Sequence, residues 1–369
     1  MTKFTITKTL MALSAAALAL TAASGPAAAQ AVPADLTTMP PVPTDYQPGR
    51  TAWGDPDLRG MWPIDNIASL PMNRPAQFGD RFWLTEEEYA ARQAQANGSD
   101  ARYAAEDESG TIGMGHWVES DSSGRRTNLV VSPANGQLPA LTPQAQELYR
   151  AGRSSWTPNT QYNWVTEFDS WDRCVTRGFP ASMFPFRYNN GIQVKQSPGF
   201  VVINLEMIHD ARVIPIVANK AAADARRWPA AVEAYMGQSI GWWEGNTLVV
   251  ETTNIKSGDS ATHDPFARNG SPLNMATLGV PPFNTIPTSK QARAVERLTM
   301  TGPDSIVYEV TYTDPEVFTA PWTARLDWTR NSEYAFFEYA CHEGNVQVRN
   351  YINASRAGVQ LSGERGGVE

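Results

Sequence analysis

Histidine and cysteine are scarce in this chain, with four of the first and two of the second among 369 residues. A metal centre draws on such ligands at short spacing, and no H-x-H, no C-x-x-C and no histidine pair at a helical interval occurs. The sequence therefore predicts neither a metal site nor a cofactor. Also absent are G-x-G-x-x-G, Walker A, G-x-S-x-G and H-E-x-x-H, which removes the support for nucleotide folds and hydrolase elbows. There is no basic run, and the formal net charge is −8, so nucleic acid and anionic lipid surfaces are poor partners. Beyond the N-terminus no apolar run reaches the length of a membrane span, which predicts no membrane insertion.

What is present begins with MTKFTITKTLMALSAAALALTAASGPAAAQA. Lys3 and Lys8 form a basic start, Leu10 to Ala23 an apolar stretch, and Ala27 to Ala31 supply the small residues of a cleavage site. Residues 1–31 are predicted to be a signal peptide, and the mature protein to be exported to the periplasm or secreted. In that compartment the even pair Cys174 and Cys341 predicts a disulfide. It would close a loop of about 167 residues, worth roughly 4–5 kcal/mol if chain entropy is the mechanism.

Residues 32–59 are proline-rich and aperiodic, which predicts an extended tether along a single mostly-β domain spanning 60–369. Helical patterns lie near 85–97, stopped by Asn97-Gly98, near 142–153 after Thr142-Pro143, and near 221–236. Residues 98–137 are polar and predict little regular structure. From Gln193 the chain alternates with period two between short turns. Turns at Ser197-Pro198-Gly199 and near His209-Asp210 separate three strands. Hairpins then turn at Glu244-Gly245-Asn246, at Gly302-Pro303-Asp304 and at Asn331-Ser332. An antiparallel meander of this length predicts a barrel-like or sandwich domain with a few peripheral helices. Gly60-x-Trp62 at its entry makes the expectation loosely lipocalin-like.

Several strands carry a glutamate in the middle of one face. Val249 and Glu251 share a face opposite Leu248 and Val250, and Val307, Glu309 and Thr311 lie opposite Ile306, Tyr308, Val310 and Tyr312. Such a glutamate either faces water or lines a polar, ligand-sized lumen.

The run from Cys174 through RGFP and QSPGFVVINLE to Arg212-Val213-Ile214 is similar to an uncharacterised family of exported bacterial all-β proteins. DLRGMW, SIGWWEGNTLVVETTN, VERLTMTGPDSIVYEVTYTDPEVFTAPW and EYACHEGN extend the match over most of the mature chain. The chain departs from the family where others carry Pro-x-Gly-x-Pro-Arg after the first cysteine. Here Val175 to Ala181 reads VTRGFPA, so that arginine is missing or replaced by Arg177. The family's D-G-R segment after Arg212 is also replaced, by Ile216-Val217-Ala218-Asn219. The resemblance implies an exported all-β protein and carries over no catalytic residue.

Two constellations predict chemistry. The first contains the histidines with adjacent acids: His209-Asp210, His263-Asp264 and His342-Glu343, with His116 standing apart. A histidine that moves protons needs a neighbour to fix its tautomer. The second sets the mid-strand acids Glu206, Glu251, Glu296, Glu309 and Glu338 beside Trp242, Trp243, Tyr308, Tyr312, Trp322 and Trp328. Aromatic faces take sugar or aryl rings, and Arg187, Arg212 or Arg297 could hold a developing negative charge. The candidate catalytic residues are therefore Glu206, His209, Arg212, Glu251 and His342, with Trp242, Trp243, Tyr308, Trp322 and Arg187 as substrate contacts. These residues suit an exported lyase or hydrolase that uses general acid/base chemistry on a sugar-derived or aromatic small molecule. The alternative is a non-catalytic lipocalin-like carrier for an apolar or aromatic ligand. Either way the expected partner is a small-molecule or glycan-derived ligand.

Overall fold

The structure, a computed structural model, describes residues 32–357 except 69, 111–123, 153, 156–160, 259–270 and 274–284. The expected signal peptide and the sites at His116 and His263 lie outside the described residues. Among the described residues ten strands form two antiparallel sheets. A four-stranded sheet has the order β1-β3-β4-β5, from β1 (Gly60–Met61), β3 (Ile192–Ser197), β4 (Phe200–Leu205) and β5 (Ala211–Pro215). A six-stranded sheet has the order β2-β10-β9-β8-β7-β6. Its members are β2 (Val130–Ser132), β6 (Gln238–Glu244), β7 (Thr247–Thr253), β8 (Arg293–Gly302), β9 (Ser305–Thr313) and β10 (Trp322–Thr329). The protein is thus mostly β, as the period of two predicts, with the strands divided between two sheets and not joined in one closed hydrogen-bonded barrel.

Alternation explains how the sheets meet. In β4 Val201, Ile203 and Leu205 are buried, and in β9 Ile306, Tyr308, Val310 and Tyr312 are buried. These faces join Ile192, Val194, Ile214, Leu248, Val250, Leu298, Leu326 and Trp328 in one continuous core fed by both sheets. Two backbone contacts tie the sheets at their margins. Ile216 after β5 bridges Gly241 of β6 in parallel, and Asn331 after β10 donates to the Met61 carbonyl of β1 at 3.0 Å. Beside that second contact the Arg330 guanidinium lies 4.3 Å from the Trp62 ring. Arg330 also donates to the Arg59 carbonyl at 2.5 Å, and Gly60, which follows Arg59, has a φ of 151°, which favours glycine at the first position of G-x-W.

Several elements depart from the sequence expectation. Helix α1 (Glu86–Ser109) runs past Asn97-Gly98, because one glycine costs only about 1 kcal/mol and good helix formers follow it. A capping box starts it: Glu88 N donates to Thr85 Oγ1, and Thr85 N to Glu88 Oε2. Helix α2 (Pro143–Ala151) is capped by Thr142 as predicted. The helix expected over 221–236 is only α3 (Lys220–Asp224), and Pro229 bars its extension through Trp228. The third hairpin does not form. β2 pairs with β10 at Thr323 and Ala324, and the run 333–340 is irregular. Strand β2 and helix α4 (Gln347–Arg356) have no counterpart in the sequence reading. The tether is hydrogen-bonded to the domain: Phe82 N donates to Leu36 O, Trp83 Nε1 to Thr38 O, and Asn246 Nδ2 to Tyr46 O. Among the described residues no helix is long and apolar enough to cross a membrane.

Candidate functional site

The turn between β4 and β5 concentrates the strained backbone and the titratable groups. Ile208 and His209 both have φ of 60°. For a β-branched residue the left-handed region is a true outlier, costing on the order of 1–3 kcal/mol, and it persists only where surroundings impose it. Here the surroundings are firm. Ile208 is buried with Trp171, Phe186 and Met207, and Leu205 N donates to the Asp210 carbonyl at 2.8 Å.

Glu206 fastens this turn to the C-terminal segment. Its carboxylate accepts from Asn189 Nδ2 at 3.0 Å, Gly191 N at 3.0 Å, Tyr334 Oη at 2.6 Å and Phe337 N at 3.1 Å. Gly191 is required, because a Cβ there would sit 2.5 Å from Oε2. A buried carboxylate with four donors is a structural anchor. The disulfide Cys174–Cys341 holds the same segment to the loop before residue 178.

Under this clasp lie Arg177 and Asp210. Thr176 Oγ1 donates to Asp210 Oδ2 at 2.7 Å and Ser182 Oγ at 3.3 Å. Burial pushes the Asp210 carboxyl above its usual range, while those hydroxyls and the Arg177 charge pull the other way. Arg177 is fully buried, donates to the Phe184 carbonyl at 3.1 Å, and lies 5.3 Å from the Phe186 ring and 5.7 Å from Trp171. Burial lowers its guanidinium to about 10, still charged at neutral pH. Tyr188 packs edge-on against Phe186 at 4.7 Å and faces Tyr339 at 6.3 Å. Burial raises both phenols, so each is a proton donor and not a base at neutral pH. His209 is partly exposed, with Nε2 3.7 Å from Glu338. An acid, a buried cation and two phenols therefore share one aromatic-walled corner, with His209 next to Asp210 in the chain.

The remaining predicted residues scatter. Arg212 is buried and bonds both oxygens of Glu296 at 2.7 and 2.5 Å, together with Ser239 and Thr252. Tyr308 joins it, donating to Glu296 at 2.8 Å and stacking on Trp328 at 4.8 Å. That set faces the core between the sheets, where both Glu296 oxygens are paired. Glu251 faces the other way, under α3, where it pairs with Arg227 and Arg293 and lies 3.6 Å from Lys220. Trp242 packs on that outer face with Ala223 and Val249, whereas Trp243 packs against the main core. Trp322 is a core residue 5.3 Å from Tyr312. Arg187 is half-buried and His342 exposed, neither with a hydrogen-bond or ion-pair partner among the described residues. Glu206, Glu251 and Arg212 thus have separate sets of partners, and no single cleft joins them.

Asp210 and Arg177 carry the corner, and their chain positions announce it only faintly. Asp210 is adjacent to His209, and Arg177 falls in the RGFP run, but the convergence depends on a disulfide and a turn far apart in sequence. Among the described residues no three His, Cys, Asp or Glu side chains converge as a metal site requires. No family model, no curated protein and no solved structure matches this chain.

Proposed function

We propose that the protein is an exported enzyme, a lyase or hydrolase, working by general acid/base chemistry at the Asp210 corner on an aromatic or sugar-derived small molecule. The observation that carries this reading is the meeting of Asp210, Arg177 and the Tyr188–Tyr339 pair beside the strained Ile208-His209 backbone. In this reading a ring packs against the tyrosines. Asp210, its carboxyl raised by burial, serves as the general acid at the leaving oxygen, while His209 takes a proton from the substrate or from water. Glu338 stabilises the imidazolium that results, and Arg177 holds the negative charge that builds on the substrate. Kinship with the uncharacterised exported family and residence in the periplasm or medium belong to the same proposal.

A second reading is favoured by the clasp of Arg330 over Trp62 beside the β1–β10 contact. It takes the two sheets as the halves of a barrel-like, loosely lipocalin-like domain that carries an apolar or aromatic ligand. Incubating the mature protein with plant-derived glycans and phenolics separates the two. Consumption of a compound by the parent, lost in Asp210→Asn and in Arg177→Gln, is the enzyme's result. Compounds retained by parent and variants alike but never consumed would replace it with the carrier.

A further inference from the structure

The outer face of the six-stranded sheet carries a groove of about 400 Å3, within the range of small-ligand sites. Two cross-strand rows make its floor. Arg297, Glu309 and Arg325 stand directly opposite one another on β8, β9 and β10. Thr311, Thr323 and Ser132 form the second row on β9, β10 and β2. The period of two places these rows opposite Glu296 and Tyr308, so the groove is separate from the core network and from the Asp210 corner. Met39 of the tether supplies a wall.

The charged row is built and not merely solvated. The Arg325 side chain is 6% exposed, donates to Pro40 O at 2.7 Å, and makes two bonds to Glu309 Oε1 at 3.0 and 2.8 Å. Both of those end on Oε1, which leaves Oε2 as an acceptor for a ligand hydroxyl. Thr311 and Thr323 share one hydrogen bond at 2.9 Å, so one of the two hydroxyl protons remains free to donate. Arg297 is 42% exposed and, among the described residues, holds Glu244, itself 47% exposed, at 2.9 Å. Such a surface pair is weak and easily exchanged for a better anion. Each guanidinium has one carboxylate partner, so release of Arg297 from Glu244 gives the lining one cation to offer an anion.

We propose that this groove is a second binding site that takes a monosaccharide-sized hydroxy acid, a sugar carrying a carboxylate. Arg297 swings from Glu244 to the ligand carboxylate, Glu309 Oε2 accepts from one ring hydroxyl, and the threonine row meets another.

Isothermal titration of the mature protein with D-glucuronate, and with glucose and acetate as controls, tests it. The expected result is saturable one-to-one binding of glucuronate, with glucose and acetate far weaker. Arg297→Gln should weaken it roughly ten- to a hundredfold, the loss of a charge-assisted hydrogen bond. Thr311→Val/Thr323→Val should also weaken it, and Asp210→Asn should leave it unchanged. Arg297→Gln should melt like the parent, since its side chain is half in water. No saturable binding by the folded parent overturns the proposal. So does equal binding of glucose, and so does binding lost in Asp210→Asn but kept in Arg297→Gln, which would move the ligand to the corner.

Discussion

Arg212 on β5 and Glu296 on β8 form a two-pronged ion pair that joins the two sheets inside the core, at 2.7 and 2.5 Å. Both side chains are essentially inaccessible to water. Removing one partner strands the other as a buried charge, so Glu296→Leu should destabilise the protein by about 3–5 kcal/mol. The double variant Arg212→Met/Glu296→Leu should recover most of that loss. Denaturant titration of the four proteins gives the coupling, and strictly additive losses would show that the pair does not act as a unit.

Glu206 should behave as an anchor for the C-terminal segment. Glu206→Gln replaces an acceptor with a donor facing four existing donors, and should cost roughly 2–4 kcal/mol. The loss should be local first: amide exchange at 334–341 should accelerate well before that of β8 and β9. Uniform acceleration across both sheets would contradict the assignment.

Cys174 and Cys341 are separated by 167 residues in the chain, so their bond removes much freedom from the unfolded state. Cys174→Ser/Cys341→Ser should lower stability by about 2–5 kcal/mol. In the proposed enzyme it should also loosen Tyr339 from Tyr188 and reduce turnover. Full activity in a reduced protein of unchanged melting temperature would detach the bond from both roles.

Asp210 should leave a mark on the pH dependence of stability. Its carboxyl is raised in the folded protein, chiefly by burial. Its contribution is therefore fully present below the unfolded value of 3.8 and is lost as pH rises through the higher folded value. Asp210→Asn has no such proton to lose. As pH rises from 3.8 through the higher folded value, the variant should gain in stability relative to the parent. A difference that stays flat, or falls with pH, would refute the burial argument.

The local pattern of the chain determined the strands and their hairpins. QVKQS, FVVINL and RVIP alternate as β3, β4 and β5, and GWWEGNTLVV turns where its glycine allows. Those features rest on neighbours within a few residues, as do the caps at Thr85 and Thr142. Tertiary structure alone decided which face of each strand meets the core. Glu296 turns inward to Arg212, while Glu251 and Glu309, equally central in their strands, turn outward to arginines. Period two allots residues to two faces but does not say which face is inside when both carry apolar groups. It also could not show that β2 pairs with β10 at Thr323 and Ala324, or that 333–340 runs irregularly to bond Glu206. The candidate corner depends on that run. It joins residue 177 to 210 and 339 through a disulfide and a four-donor carboxylate, and such long-range closure has no signature in the spacing of residues along the chain.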